Sequence, residues 1–500
     1  TGSINISLDS LSKSSNWPKE LSITHFTGPD LTPSPACLAV APTGEVFVGV
    51  DMMGSLGKEP GKGKIIKLVD CNNDGVVDSH TVFATPDNPR GILPIGDKVY
   101  VLHTTFRGSI ASGMDLVVFE DVNHDGVADG PSKPLIQNIS SPKFLQDRGT
   151  DHSTNGIRMG IDGWIYIAVG DFGFHGAVDR SGTKMTQLGG GILRVRPDGT
   201  EMEVYTHGLR NIYDVAIDPL MNIYTRGNTN DGGGWNIRFI HQIQSGEYGY
   251  PVLFKHFTDE ILPALVDVGG GSGTGSFFMD DSTWPAKYNN VPMMADWGRS
   301  QLFIHRLTKD GASFKQADEE FIKLSQISDV DVDASGRMYM AAWDRAGYKG
   351  NPDKGFVVRA VPKQWDYIPF PIVSELSIDE LADYMKSGSA VARLHAQQEL
   401  INRKNGDKAL LEIAEDKSLS LASRVAGIFG YAQAAGQSSI ENLVRLAEDQ
   451  EVKEFVLRAL TDRKNQAVNV PLEPFLEALN SSNDRLRVAA TVGLGRMGDL

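Results

Sequence analysis

Two successive periods along the 500 residues predict the fold class. Before residue 362 a strand–turn–strand unit recurs at about 58 residues, and after Pro371 a helical period takes over. Together they predict a mainly β chain: a six-bladed β-propeller over residues 30–362, then an α-helical HEAT-like solenoid over 377–500. Residues 1–29 read as an N-terminal extension and 363–376 as a linker.

The repeated unit joins a strand, a tight polar turn and a second strand. Its copies are Leu38-Ala-Val-Ala-Pro-Thr-Gly-Glu-Val-Phe-Val, Gly91-Ile-Leu-Pro-Ile-Gly-Asp-Lys-Val-Tyr-Val and Ile157-Arg-Met-Gly-Ile-Asp-Gly-Trp-Ile-Tyr-Ile. Asp214-Val-Ala-Ile-Asp-Pro-Leu-Met-Asn-Ile-Tyr and Asp329-Val-Asp-Val-Asp-Ala-Ser-Gly-Arg-Met-Tyr complete the set. Alternating apolar residues face neighbouring sheets, and Gly, Asn or Asp is expected to supply the left-handed turn. The starts are spaced by 53, 66, 57 and 115 residues, so a sixth, degenerate unit is expected near 270–307, where Gln301-Leu-Phe-Ile-His-Arg-Leu is strand-like.

Ser377-Ile-Asp-Glu opens the helical part with a Ser cap and a Glu three residues on, a capping box. Residues 393, 424, 454 and 487 then occupy equivalent places at spacings of 31, 30 and 33, as paired helices of HEAT type require. The array stops in mid-pattern at Leu500, which leads us to expect that the natural chain continues. The Thr-Gly-Ser start likewise fits a processed or trimmed chain.

A formal charge of −15 disfavours nucleic acid and anionic lipid as partners, and no apolar run is long enough to span a membrane. Two cysteines, Cys37 and Cys71, are too few for a disulfide framework; one bridge or two buried thiols both remain open.

Two acidic turns share the pattern D-x-N-x-D-G-x-x-D. They are Asp70, Asn72, Asp74, Val76 and Asp78, and Asp121, Asn123, Asp125, Val127 and Asp129. Side-chain oxygens at four positions, with the valine carbonyl, could wrap a hard cation, and the Gly at position six permits the sharp turn. Neither copy has the twelfth-position Glu of an EF-hand, so a solvated Asx-turn is the alternative. Any calcium held here is expected to be structural.

The chemistry-bearing residues begin with His152, in Asp151-His152-Ser-Thr-Asn155, and Asp171, in Val169-Gly-Asp171. A carboxylate at a strand end beside an imidazole can fix its tautomer for general-base work. They are followed by His207-Gly-Leu-Arg210-Asn211 and Gly246-Glu-Tyr-Gly-Tyr-Pro251.

In these elements, taken in order, residues 35–362 resemble the soluble glucose and sorbosone dehydrogenases that use pyrroloquinoline quinone (PQQ). The acidic loops and the HEAT-like tail resemble a multidomain bacterial branch that often ends in a cytochrome c domain. The resemblance implies that His152 is the base that takes the proton from a sugar hydroxyl, that Asp171 orients it, and that Arg210 polarises the quinone. It further implies that Asn211 binds the cofactor and that Gly227 and Asn228 supply backbone carbonyls to a calcium ion. It implies a periplasmic or extracellular enzyme acting on a sugar or related alcohol, with a cytochrome c as electron acceptor. The sequence also departs from the pattern. The family's first-blade glutamine has no match at Ser34-Pro35-Ala36, Arg299 stands where a lysine is expected, and Gln326-Ile-Ser328 replaces a pair of arginines. Two other functions stay open: a non-catalytic propeller that binds a glycan or protein, and a calcium-dependent hydrolase or lactonase.

Overall fold

The computed structural model describes residues 15–230, 235–254 and 256–498. Strand β1 (Leu21–Thr27) opens the described chain. The first blade follows as β2 (Pro35–Val40), β3 (Val46–Asp51), β4 (Gly63–Val69) and β5 (Ser79–Ala84). The second is β6 (Gly91–Ile95), β7 (Lys98–Arg107), β8 (Ile110–Glu120) and β9 (Lys133–Gln137). After helix α1 (Pro142–Arg148), the third blade comprises β10 (Thr154–Met159), β11 (Ile165–Val169), β14 (Gly190–Val195) and β15 (Glu203–Leu209). The hairpin β12 (Phe174–Asp179) and β13 (Lys184–Gln187) leaves that blade and pairs with β9, making the second sheet six-stranded. The fourth blade is β16 (Ala216–Ile217), β17 (Ile223–Asn230), β18 (Trp235–Gln242) and β19 (Val266–Gly270). The fifth is β20 (Gly273–Met279), β21 (Val291–Asp296), β22 (Gln301–Asp310) and β23 (Ser313–Lys323). The sixth is β24 (Ile327–Val332), β25 (Met338–Ala342) and β26 (Phe356–Pro362).

The protein is thus a six-bladed propeller with one repeat copy at the inner edge of each blade. The degenerate unit expected near 270–307 is β20 to β22. One boundary needs correction. Residues 1–29 were expected to lie outside the propeller, yet β1 pairs antiparallel with β26, from Leu21 opposite Pro362 to His25 opposite Val358. The chain's start thereby completes the last blade and covers an edge that would otherwise expose unpaired backbone.

The turns also differ in one place from the expected chemistry. Gly44, Gly163 and Gly336 are left-handed in their units, but in the fourth it is Met221, at φ 62°, rather than Asn222. Asp218 compensates: its carboxylate accepts from the N–H groups of Leu220 and Asn222 and from the Asn222 amide. The Met221 side chain is buried against the helices.

After the single 3₁₀ turn Val373–Glu375 come eight α-helices among the described residues. They are α2 (Ile378–Tyr384), α3 (Ala390–Ile401), α4 (Gly406–Glu415), α5 (Leu421–Ala435), α6 (Ile440–Leu446), α7 (Lys453–Thr461), α8 (Glu473–Ala478) and α9 (Asp484–Met497). The capping box at Ser377 and Glu380 forms. Alternate helices α3, α5, α7 and α9 carry residues 393, 424, 454 and 487, and each packs on the next.

The helices lie across the propeller face that carries the β10–β11 and β16–β17 turns. Gln397 and Gln433 both donate to the Ile161 carbonyl, at 2.7 and 2.9 Å, and Arg458 donates to that of Met221 at 2.9 Å. One hydrophobic core runs through both parts, from Trp164, Tyr166 and Tyr205 into Leu410, Val425 and Phe455. At its centre Arg194, fully buried, lies 4.1 Å from the Trp164 ring and donates to Glu203, Tyr166 and Asp462. The axial cavity, about 130 Å³, is lined by all six inner strands and closed on the helical side by Ala390, Arg393 and His395 of α3. Burial holds the His395 imidazole neutral, its pKa pushed down to about 4.

Cys37 is buried and Cys71 exposed, and both thiols are free. This excludes the bridge and also the expectation that both are buried: β4 ends at Val69, so Cys71 lies in the acidic turn itself.

Replacing Arg194 by Met should leave the carboxylates of Asp162 and Asp462 short of a buried partner, at a cost of about 3–5 kcal/mol. Urea denaturation followed by circular dichroism measures this; an unchanged midpoint would show that the network does not join the two parts.

Candidate functional site

The propeller mouth opposite the helices is framed by the segments entering the inner strands and by those leaving the second strands. In the third blade His152 lies two residues before β10 and Asp171 two after β11, so strand pairing brings them together. Imidazole Nδ1 lies 2.5 Å from Asp171 Oδ1. With the carboxylate as acceptor, the proton is on Nδ1 and the Nε2 lone pair is free to act as a base. The ring stacks on Phe172 at 5.2 Å, and Phe172 stacks on Phe144 of α1 at 5.0 Å. The two loops are also joined through backbone, Gly170 N–H to Ser153 carbonyl and Phe172 N–H to His152 carbonyl. Gly170 is required here: a Cβ would stand 2.3 Å from the His152 carbonyl oxygen and 2.5 Å from Asn211 Oδ1.

The fourth blade adds Arg210, Asn211, Gly227 and Asn228. Asn211 donates to the Asp151 carbonyl at 3.0 Å, and its own carbonyl accepts from Asn228 N–H at 3.0 Å. Arg210 donates to Asn228 Oδ1 at 2.5 Å. Asn211 Oδ1 is buried without a hydrogen-bond partner. A cleft of about 40 Å³ borders these four residues. Six of the residues singled out in the sequence therefore form one contiguous group. Arg299 stands apart: its guanidinium donates to the Gly270 and Val268 carbonyls, both at 2.5 Å, and its backbone N–H to Asp296. Beside it, Trp297 meets Trp343 at 5.7 Å and Tyr348 at 5.2 Å.

Sequence reasoning missed Arg90 and Asp51. Arg90 is buried, lies 5.2 Å from the Tyr213 ring and donates through Nε and Nη2 to Asn155 Oδ1. It stands directly before the second repeat copy at Gly91, where the other copies have Cys37, Gly156, Tyr213 and Ser328, so the repeat gave no signal for it. Asp51 ends β3 with no exposure; burial pushes its carboxyl up to about 6. The next residues in the chain gave no motif for it.

The acidic turns lie elsewhere, between the third and fourth strands of blades one and two. Asp70 accepts from Gly75 N–H and pairs with Arg359; Asp121 accepts from Gly126 N–H and faces Lys67 at 3.8 Å. Asn72, Asp74, Asp78, Asn123, Asp125 and Asp129 accept from backbone N–H groups of the same turns. The Val76 and Val127 amides are among the donors. Among the described residues no group of three or more His, Cys, Asp or Glu side chains is arranged to hold a metal ion.

Residues 9–329 match the model of a family described as Domain of unknown function (DUF7133). The chain belongs to that family. No curated protein matches this DUF7133 chain. Among solved structures it is similar to an oxidoreductase named as a glucose dehydrogenase from Thermus thermophilus, with 19% identity and a TM-score of 0.51 over 68% of this chain and all of that one. It is also similar to the PQQ-bound aldose sugar dehydrogenase of Streptomyces coelicolor, with 17% identity and a TM-score of 0.47 over 69% of this chain and all of that one. A gluconolactonase of Xanthomonas campestris matches at 10% identity and 0.39, over 69% of this chain and 90% of that one. At 19% identity the likeness of the DUF7133 chain to the Thermus thermophilus structure is one of fold alone.

Gly170→Ala should displace the His152 loop, since the obstacle is backbone, and cost about 1–3 kcal/mol. A fall in the urea midpoint checks this; wild-type stability would mean that the two loops are not held as described.

Proposed function

We propose that the protein is a quinoprotein-type dehydrogenase that oxidises a sugar or related alcohol, working outside the cytoplasm in the periplasm or medium. The observation that carries the reading is the pairing of His152 with Asp171 in one contiguous group with Arg210, while Arg90 and Arg299 stand in neighbouring blades. Arg90, Arg210 and Arg299 donate only to neutral oxygens, and among the described residues none of them makes an ion pair. Most buried arginines are matched by carboxylates, including Arg194, Arg226, Arg337 and Arg424. Guanidinium groups held in this way suit an anionic planar ligand, and the orphaned Asn211 Oδ1 offers a further polar contact. PQQ, with three carboxylates, is such a ligand.

PQQ, when bound, supplies the acceptor for the substrate's hydride. The chain's own residues would do the rest. His152 Nε2 takes the hydroxyl proton, Asp171 stabilises the imidazolium that results, and Arg210 with Arg90 and Arg299 holds the cofactor's negative charge. Gly227 and Asn228 would offer backbone carbonyls to a calcium ion, and the two acidic turns would hold structural calcium. A cytochrome c is the electron acceptor that fits such chemistry. No helix among the described residues is long and apolar enough to cross a membrane.

A second reading is favoured by the aromatic group Trp297, Trp343 and Tyr348: a propeller without PQQ that stacks a glycan ring at the same mouth. A calcium-dependent lactonase has no comparable support.

Calorimetric titration of PQQ in calcium, with dye-linked turnover of an aldose panel, tests the proposal. His152→Ala should lower kcat by about 10²–10⁴ while leaving PQQ binding unchanged. Neither heat nor turnover would overturn the dehydrogenase reading, and glycan binding without turnover would support the second.

A further inference from the structure

Beneath the loop that carries His152 lies a group of oxygens that the mechanism does not use. Asp51, Ser55 and Asn88 are each more than nine-tenths buried, at 0%, 6% and 0% exposure. Each has one side-chain oxygen without a hydrogen-bond partner: Asp51 Oδ2, Ser55 Oγ and Asn88 Oδ1. The remaining atoms tie the three residues into one place. The turn after Asp51 starts with Met53 N–H on Asp51 Oδ1 at 2.6 Å. It continues through Gly54 and Gly57, both left-handed. It then closes over Asn88, whose carboxamide carbon lies 2.4 Å from where a Cβ on Gly57 would be. Asn88 Nδ2 donates to Thr150 Oγ1 at 2.9 Å, and that hydroxyl donates to the Ser55 carbonyl at 2.9 Å.

Such a set has a chemical bias. A carboxylate oxygen and an amide oxygen can only accept from a neutral neighbour, and a hydroxyl can accept as well. Buried acceptors without donors require an explanation, and oxygen atoms of these three types are ligands for hard cations. We infer that Asp51, Ser55 and Asn88 form a binding site for a hard, oxygen-seeking cation, calcium or sodium, that fastens the Asp51–Gly57 turn to the segment leading into His152. The link to that segment is direct: Thr150 lies two residues before His152, and its N–H donates to the Leu56 carbonyl at 3.0 Å. The site is separate from the acidic turns, which join the third and fourth strands of their blades. It does not depend on whether PQQ binds.

The test compares the full chain with its Asp51→Asn and Ser55→Ala variants, all stripped with EDTA and exchanged into choline buffer. Thermal unfolding is then followed against calcium in one series and sodium in another, and bound calcium is counted by mass spectrometry. Any calcium held by the acidic turns would be common to all three proteins, so the difference between them isolates this site. The inference predicts a saturable rise in Tm for the wild type that is lost in Asp51→Asn and weakened in Ser55→Ala. In the calcium case one equivalent fewer is retained by Asp51→Asn; in the sodium case only the sodium series differs. Equal cation responses in all three proteins would overturn it and leave a trapped water as the occupant. If Asp51→Asn does not fold, the comparison of Ser55→Ala with wild type decides the outcome in the same way.

Discussion

Arg158 and the carboxylates around it hold the ring together at its axis. Inner strands of neighbouring blades do not share a hydrogen-bond ladder, so something else must fix their register around the axis. From β10 of the third blade, Arg158 donates to the Val215 carbonyl beside the fourth blade, to the Ser276 carbonyl of the fifth and to Asp331 of the sixth. Asp214 accepts from Ser276 N–H, Asp329 from Leu38 N–H and Asp331 from Val40 N–H. Each carboxylate thus replaces a backbone acceptor that a neighbouring strand would have supplied. Three acids gather around one guanidinium, and two of them are shifted in acidity. Burial pushes Asp214 up to about 6, and burial with the nearby Asp214 charge raises Asp329 well above the usual carboxylate range.

That belt also determines which end of the axis is available. On the helical side the axial cavity is closed by α3. Asp280 accepts from the Ala390 N–H and from Arg393, anchoring that closure to the fifth blade. Buried contacts through Trp164, Arg194 and Asp462 make the closure part of the core rather than a lid. The helices thus cover this end of the axis, and the strand-end loops converge at the other end, the His152 mouth.

The propeller was legible because its repeat is written in local chemistry. An apolar strand, a left-handed residue and a second apolar strand recur five times. The helices were legible through the spacing of residues 393, 424, 454 and 487. The pairing of His152 with Asp171 was legible for the same reason, since one precedes the inner strand of a unit and the other follows its partner. What the sequence hid depends on distant pairing. Leu21–Thr27 looks like any short amphipathic stretch until β26, more than three hundred residues later, is placed beside it. Arg90 carries no motif, and its meaning comes from Asn155 and Tyr213 in other blades. Met221 was hidden differently: its strained turn is tolerated because Asp218 and a buried side-chain contact support it.

The departures from the family pattern look different once the cations are placed in space. Counted along the sequence, a glutamine of the resembled dehydrogenases has no match in the first blade and a pair of arginines none in the last. Counted around the mouth, Arg90 contributes a guanidinium from the second blade, Arg210 one between the third and fourth, and Arg299 one from the fifth. A buried guanidinium that has only neutral acceptors carries a desolvation cost that its own contacts do not return in full. Evolution commonly meets that cost with a carboxylate, as at Arg194, Arg226 and Arg424 in this same chain. Arg90 is the buried case, Arg210 and Arg299 are half-buried, and the proposed anionic ligand would give these guanidiniums a partner that a neutral carbohydrate does not.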